Sequence, residues 1–417
     1  MSELIIPDKY DVIPIHNSDR GSFKRCRQYW YWNSPARTNL NLRADVHGIS
    51  LPLWFGTGIH YALEQNYNPG IRRDPVEAWK TWFDVQWRGG IVTEEWLPLV
   101  YDLKPKPSPQ ANIASWQVRG LEDILPDPDH NQFDELFELG IEMMTFYKRY
   151  AEVNDDFDVV LAEHTFSIPV WDYENGCTLT AVDIREDSPN YGKKLEVHAR
   201  GRIDALKRRV GTEKLGIIDH KTTAKIEENL PVILETDEQC TSYLYALEVE
   251  AHYYDLPHKG EPMEEVLYNV LRKAYPKPPT ILKDGYHFSI NRTEESTTYE
   301  MLMDYLSSFG ETQQAMLWPR GLSEKEQAYV DYLRDVGDDQ FIVRYPTRRN
   351  TAQLANAGYR LYLETMDMLD PDVRIYPNMR NDWKCLNCQF RAPCIAKMTG
   401  DDYEQLIADN YTTARDR

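Results

Sequence analysis

Two carboxylates and a lysine near the middle of the 417-residue chain carry the clearest chemistry. They lie in Gly201-Arg202-Ile203-Asp204 and Asp219-His220-Lys221. Between them, Gly211-Thr212 has the form of a two-residue hairpin turn with glycine first. That turn pairs Val210 with Glu213. The same register sets Asp204 directly opposite Asp219, with Cβ atoms about 5 Å apart on one face of a sheet. Carboxylates held this close repel each other and share a proton or a cation. Strand alternation puts Lys221 on the face of Asp219 and leaves Arg202 facing Lys221. Two acids beside two bases suit a divalent metal next to a phosphate. The carboxylates hold the ion, and the ion polarises the phosphate and lowers the pKa of a bound water. Lys221 orients that water or stabilises the developing negative charge. Alone, the pattern is short and equally fits a surface hairpin laced with cross-strand ion pairs.

The elements around this hairpin follow from periodicity. Residues 18–32, 54–67 and 77–86 read as helices, the first capped by Ser18. Residues 104–129, rich in Pro, Asp and Lys, read as a loop or insertion. Residues 133–150 form a helix, with Phe133, Leu136, Phe137, Gly140, Met144 and Tyr147 at helical spacing. Residues 159–170, 195–210 and 214–219 read as strands, 234–253 as helix, and 265–272 and 285–290 as β-like. Residues 297–314 and 351–368 return to helix. Helices, a short run of strands and then helices predict a mixed α/β fold, a central mixed sheet flanked by helices.

The chain carries 47 Lys and Arg against 67 Asp and Glu, a net charge of -20. That balance is unusual for a nucleic-acid binder. Lysines and arginines nevertheless concentrate between Lys193 and Lys225, a local strip able to track phosphates, while the acidic excess serves solubility. Mean hydropathy is -0.61, and no apolar run is long enough to span a membrane. Met1 to Pro14 has no basic segment followed by an apolar one, so no signal peptide and a cytoplasmic location are expected. Of six cysteines, Cys385, Cys388 and Cys394 cluster, which in a reducing compartment points to metal rather than disulfides. A tetrahedral site needs a fourth ligand, and Cys26 is the best candidate. Spacing alone leaves zinc and iron–sulfur both open. Cys177 and Cys240 read as ordinary thiols.

Upstream lies Gly58-Ile-His60-Tyr-Ala-Leu-Glu64 and downstream Gln239-Cys-Thr-Ser-Tyr243, whose Gln and Tyr share a helical face. In this order, with Gly201-Arg-Ile-Asp204 and Asp219-His-Lys221 between them, the segments resemble the successive motifs of the RecB-like branch of the PD-(D/E)xK nuclease superfamily. The resemblance implies a restriction-endonuclease-like core and a metal-dependent DNA exonuclease acting on single strands or duplex ends. It implies that His60, Asp204, Asp219 and the carbonyl of His220 ligate Mg²⁺ or Mn²⁺. Lys221 would be the catalytic lysine, Gln239 and Tyr243 would position DNA or support the site, and Glu64 would assist. The imidazole favours Mn²⁺ somewhat. One cysteine near the N-terminus and three near the C-terminus resemble the iron–sulfur subset, which includes AddB-type nuclease domains and CRISPR-associated RecB-like exonucleases. This implies a [4Fe-4S] cluster at Cys26, Cys385, Cys388 and Cys394, with Zn²⁺ the less favoured occupant. It also implies DNA as partner, alongside a recombinase, helicase or CRISPR adaptation protein, with no membrane and with oligomers allowed. No Gly-x-x-x-x-Gly-Lys-Ser/Thr loop occurs, unlike the motor-bearing RecB and AddB chains. The expected organisation is one nuclease domain over 1–417 with insertions. Its parts are an N-terminal helical part (18–68), an insertion (69–131), the core (132–275), a helical or inserted region (276–375) and the cysteine segment with its tail (376–417). Residues 69–131 and 276–350 have no role legible in the sequence.

Overall fold

The computed structural model describes residues 11–35, 37–42, 50–93, 115–124, 129–185, 188–211, 214–253, 263–283, 287–292, 294–308, 321–378 and 383–413. Its centre is a seven-stranded mixed sheet. The elements used below are β1 (Ile13–His16), α1 (Asn17–Arg25), α2 (Arg27–Asn33), α3 (Leu51–Tyr67), α4 (Pro75–Arg88) and α5 (His130–Asn154). They continue with β2 (Phe157–Pro169), β3 (Thr180–Val182), β4 (Lys194–Arg209), β5 (Leu215–Thr223), α6 (Glu238–Tyr253), β6 (Met263–Arg272), β7 (Ile342–Thr347) and α7 (Thr351–Leu369).

The sheet order is β1-β4-β5-β6-β7, with β2 and β3 also paired to β4. β1 runs parallel to β4 and β5 parallel to β6, whereas β4–β5, β2–β4 and β6–β7 are antiparallel. Helices cover both faces. On one, α3, α4 and α5 pack Ile59, Leu63, Trp79, Met144 and Tyr147 against Ala205, Ile218, Leu267 and Leu271. On the other, α6 and α7 pack Leu244, Leu247, Leu361 and Tyr362 against Ile203, Leu206, Ile217, Val266 and Val270. Burial on both faces explains the nearly unbroken apolar run in β6. α5 buries Phe133, Gly140, Met143, Met144, Tyr147 and Ala151, a stripe at helical spacing. Gly58 lets α3 close on α4, because a Cβ there would run into Trp82 and Trp79.

The mixed α/β architecture expected from the sequence is the one observed. Its hairpin register is observed as far as the ladder runs, with Arg208 paired to Leu215 and Ala205 to Ile218; the expected direct pairing of Asp204 with Asp219 is not part of that ladder. Gly211 takes the positive φ of 82° that the turn calls for. Thr212 and Glu213, and so the closing pair with Val210, lie outside the described residues.

Several expectations are corrected. The helix expected over 18–32 is two helices, because Cys26 is extended (φ -165°) and its sulfur caps α2 by accepting from Tyr29 N–H at 3.4 Å. The segment read as a loop or insertion over 104–129 is not wholly a loop: it contains a strand, Ser115–Arg119, paired with Gly89–Thr93; residues 94–114 and 125–128 lie outside the described set. The helix expected over 297–314 spans Tyr299–Ser307, and residues 309–320 are outside the described set. The β character expected over 285–290 reduces to a single bridge, Ile281 to Phe288. Elements with no sequence expectation include β1, β3, β7 and the helices Glu324–Val336, Arg391–Thr399 and Tyr403–Asn410. No helix among the described residues is long and apolar enough to cross a membrane.

Candidate active site

β4 is the platform of the site. β2 lies along one edge, pairing Pro169 with His198 through Phe157 with Arg209. The other edge is shared: β1 pairs with Val197–Arg200 and β5 with Ala205–Arg208. Between those two partners the sheet forks, and Asp204 stands at the fork.

A dislocation of the pleat accompanies the fork. Ile203 belongs to the core on one face and Ala205 to the core on the other, although two residues apart on a regular strand point the same way. On the neighbouring strand, Ala162 pairs with Ala205 and His164 with Ile203, and Glu163 between them has a φ of 49°. A non-glycine residue in the left-handed region costs on the order of 1–3 kcal/mol, and such strain collects at functional sites. The twist turns Asp204 out of the regular ladder. Its Oδ2 accepts the main-chain N–H of His220 at 2.7 Å and lies 3.5 Å from His60 Nδ1 on α3.

Asp219 and Lys221 extend from β5 toward α6, as alternation requires. Lys221 Nζ donates to Asp219 Oδ1 at 3.1 Å and to Gln239 Oε1 at 3.2 Å. Gln239 Nε2 in turn donates to Tyr243 OH at 2.7 Å, and the Tyr243 ring packs edge-on against Phe166. Lys221 Nζ is also 2.8 Å from Asp219 Oδ2, yet that buried oxygen has no well-directed hydrogen-bond donor. The expected contact of Arg202 with Lys221 is not formed. Arg202 Nε instead pairs with Glu163 Oε2 at 2.6 Å, because the dislocation places Glu163 beside Asp204. The basic strip over 193–225 is likewise not a continuous phosphate track. Lys207 is buried on Glu265, Arg209 pairs with Asp156 and Lys225 with Glu227.

His220 points to the opposite face. Its Nδ1 accepts from Asn269 Nδ2 at 2.8 Å, and Asn269 also donates to Tyr147 OH at 2.9 Å. Arg344 of β7 closes the network onto Asn269 and Asp155. Tyr67 stacks on the His220 ring. This buried set fixes the His220 backbone, whose N–H binds Asp204. Residues 276–350, silent in the sequence, thus contribute Arg344 beneath the site.

Burial acts on every ionisable group here, and the neighbours decide the outcome. Burial pushes Asp219 up, and the charge of Asp204 adds to this against Lys221, giving about 6. Asp204 is buried too, but His60 and the His220 N–H overcome that and hold it down to about 2. Burial opposes the charge on His60 and on Lys221, and Asp204 and Asp219 respectively outweigh it, raising both. Burial keeps His220 neutral, down to about 3. Glu163 is pushed by burial up to about 7, and Glu64 is raised for the same reason. Glu163 is the site residue that the sequence reading missed. Its position in β2 offers no motif, and only the register of β2 on β4 reveals it.

His60, Glu64, Glu163, Asp204, Asp219, Lys221, Gln239 and Tyr243 are therefore brought to one place from five elements. Among the described residues, no three His, Cys, Asp or Glu side chains already stand as a finished ion site. The carboxylates are turned toward His60 and Lys221.

The cysteine segment forms a second cluster. Cys26, Cys385, Cys388 and Cys394 line one cavity of about 290 Å³, walled by Tyr29, Trp32 and Phe390. Cys26 Sγ accepts from Asn378 N–H at 3.3 Å. Burial raises the Cys388 and Cys394 thiols, and the neighbouring sulfurs add to the rise. Cys240 is instead buried in the core under α6.

The family model of the PD-(D/E)XK nuclease superfamily matches residues 21–395. No curated protein matches the chain. Among solved structures, the chain is similar to "Crystal structure of SSO0001" at 14% identity, over 64% of this chain and 80% of that one, with a TM-score of 0.24.

A protonated Asp219 would hold a cation poorly, so any divalent-metal affinity that depends on this carboxylate is expected to fall as pH drops through about 6. Asp219 and Glu163 both have folded values above the ordinary carboxyl range near 4. In the metal-free protein their contribution to stability is complete below that range and is lost as pH rises through about 6 and 7. The rise in Tm produced by Mn²⁺ is therefore expected to be large near about pH 8 and to shrink as pH falls toward about 5. An equal rise across that range, measured by thermal melts with and without Mn²⁺, would contradict this electrostatic description.

Proposed function

The chain belongs to the PD-(D/E)XK nuclease superfamily, and from that premise we propose that it is a metal-dependent DNA exonuclease of the RecB-like kind, acting on single strands or duplex ends. The observation that carries the proposal is the convergence of His60, Asp204, Asp219, Lys221 and Gln239, with a buried Asp219 oxygen to which no donor is directed. That oxygen, with the carboxylate of Asp204 nearby, fits a cation. His60, Asp204, Asp219 and the carbonyl of His220 would hold it, with Mg²⁺ or Mn²⁺ as occupant. When bound, the cation supplies positive charge against the scissile phosphate and acidifies water.

The chain's own residues do the rest. Lys221 remains protonated beside Asp219. From there it stabilises the charge that builds on the phosphate oxygens. Gln239 fixes the lysine, and Tyr243 fixes Gln239. Asp204 favours the charged form of His60. The Asn269–Arg344 network holds the His220 main chain at the correct height.

Asp204→Asn and Lys221→Ala are expected to lower cleavage of end-labelled DNA by at least about a hundredfold while leaving the fold intact by circular dichroism. Cleavage by both variants at the parent rate would sink the assignment. DNA binding by the parent without cleavage in Mn²⁺ would replace it with a non-catalytic end-binding module.

For the cysteine cavity, we propose a [4Fe-4S] cluster held by Cys26, Cys385, Cys388 and Cys394. Four thiols lining one partly aromatic cavity support this reading. It would tie the start of α2 to the C-terminal segment. Protein purified without oxygen is expected to be brown and to carry iron, with Cys388→Ser colourless and less stable. A colourless parent with one zinc per chain would assign the cavity to zinc instead.

A further inference from the structure

The pleat reversal at Glu163 has an anchor on the α6 side of the sheet. Along β2, Leu161 packs in the same core as Phe166 and Ile168, although odd and even residues of a regular strand point to opposite faces. The parity changes across Glu163. There Ala162 pairs with Ala205, His164 pairs with Ile203, and the backbone takes a φ of 49°. A left-handed non-glycine residue persists only where its surroundings over-determine it. On one side of Glu163 the paired side chains are two small alanines, which hold little. On the other side stands His164, and it is held from α6.

His164 Nε2 lies 2.7 Å from Glu250 Oε2. The His164 side chain is 10% exposed and that of Glu250 1%, so the pair sits inside the protein between β2 and α6. Glu250 Oε1 has no donor. A buried pair with an orphaned oxygen is a poor source of stability. Desolvation offsets most of the attraction, and apolar residues of similar volume do as well or better. The attested use of such pairs is to fix register. Tyr243 lies about two turns before Glu250 on the same helix and packs edge-on against Phe166. Tyr243 and Glu250 thus hold Phe166 and His164 from one helix, which also presents Gln239 to Lys221. The strained strand and the support of the lysine are therefore referenced to one rigid element.

We propose that His164 and Glu250 form a register lock, a positioning pair that keeps β2 in its reversed pleat and so keeps Asp204 out of the regular ladder and beside His60. Neither residue touches the reacting atoms. Without the lock, β2 relaxes toward regular alternation, Glu163 leaves the left-handed region, and Asp204 is drawn away from His60 and the His220 N–H. The arrangement competent to hold a cation is then only partly populated, and apparent affinity falls by that fraction. The proposal rests on the reading of Asp204 as a metal ligand and adds what holds that ligand in place.

Calorimetric titration of the full chain with Mn²⁺ alone, paired with thermal melts, tests this. His164→Leu together with Glu250→Met replaces the pair by an apolar contact of similar volume. This double variant is expected to melt no lower than the parent. It should bind Mn²⁺ at least about fivefold more weakly, the factor set by the lower end of the strain in a left-handed non-glycine backbone. Glycine takes the left-handed φ without strain, so the lock has nothing to hold once Glu163→Gly is present. The triple variant should therefore bind Mn²⁺ as tightly as Glu163→Gly alone. Glu250→Gln keeps a hydrogen bond to His164 and should match the parent in both measurements. A merely structural role would lower the melting temperature and leave Mn²⁺ affinity unchanged. A parent that binds Mn²⁺, with the double variant binding it equally, would overturn the lock alone. So would a double variant that fails to fold, a loss that persists in full beside Glu163→Gly, or a loss in Glu250→Gln as large as that of the double variant. A parent that binds no Mn²⁺ would overturn the metal reading and this inference with it.

Discussion

Two carboxylates whose charges act on each other in a closely packed site need something to balance them, and the rest of this structure follows from that constraint. Asp204 and Asp219 are divided by their surroundings. His60 and the His220 N–H hold one ionised, while burial and the first carboxylate raise the other toward neutrality. Lys221 is the counter-charge within reach, and it is itself shared with Gln239. On the proposed reading, a pair separated in this way would exchange a proton for a cation.

The fold meets the constraint by breaking its own regularity at one point. The pleat of β2 and β4 reverses at Glu163 and Asp204, and β1 and β5 divide the free edge of β4 between them. The strained Glu163 backbone and the fork open the sheet where Asp204 must leave the ladder. Rigid parts surround this opening. α3 is locked to α4 through Gly58, α6 presents Gln239, and β7 anchors Arg344 under His220. The break at Cys26 between α1 and α2 turns its sulfur toward the C-terminal cysteines, and α1 runs from that cluster back to the fork. α1 thus links the cysteine cavity to a cavity at the fork.

Much of this was legible in the sequence because it depends on short-range rules. The Gly211 turn fixed the register of the hairpin, and the observed pairs from Arg208–Leu215 to Ala205–Ile218 follow it. Helical spacing placed Gln239 beside Tyr243, and they are hydrogen bonded. What was not legible depends on non-local pairing. Glu163 carries no motif and enters the site only through the register of β2 on β4. β1 is four residues long, too short for a periodic signal. Arg344 lies in a segment with no recognisable pattern and reaches Asn269 from the far edge of the sheet. Arg202 was assigned to Lys221 by ideal alternation, and the reversal of the pleat gave it to Glu163.

The most direct measurement is the anomalous scattering of a crystal soaked in Mn²⁺. A single strong peak is expected between the carboxylates of Asp204 and Asp219, within coordinating distance of His60 and the His220 carbonyl, at about 2.0–2.3 Å from each ligand. It should vanish in Asp204→Asn. DNA cleavage in Mn²⁺ with no peak between those carboxylates, or with a peak held by other residues, would contradict the assignment of this hairpin as the metal site.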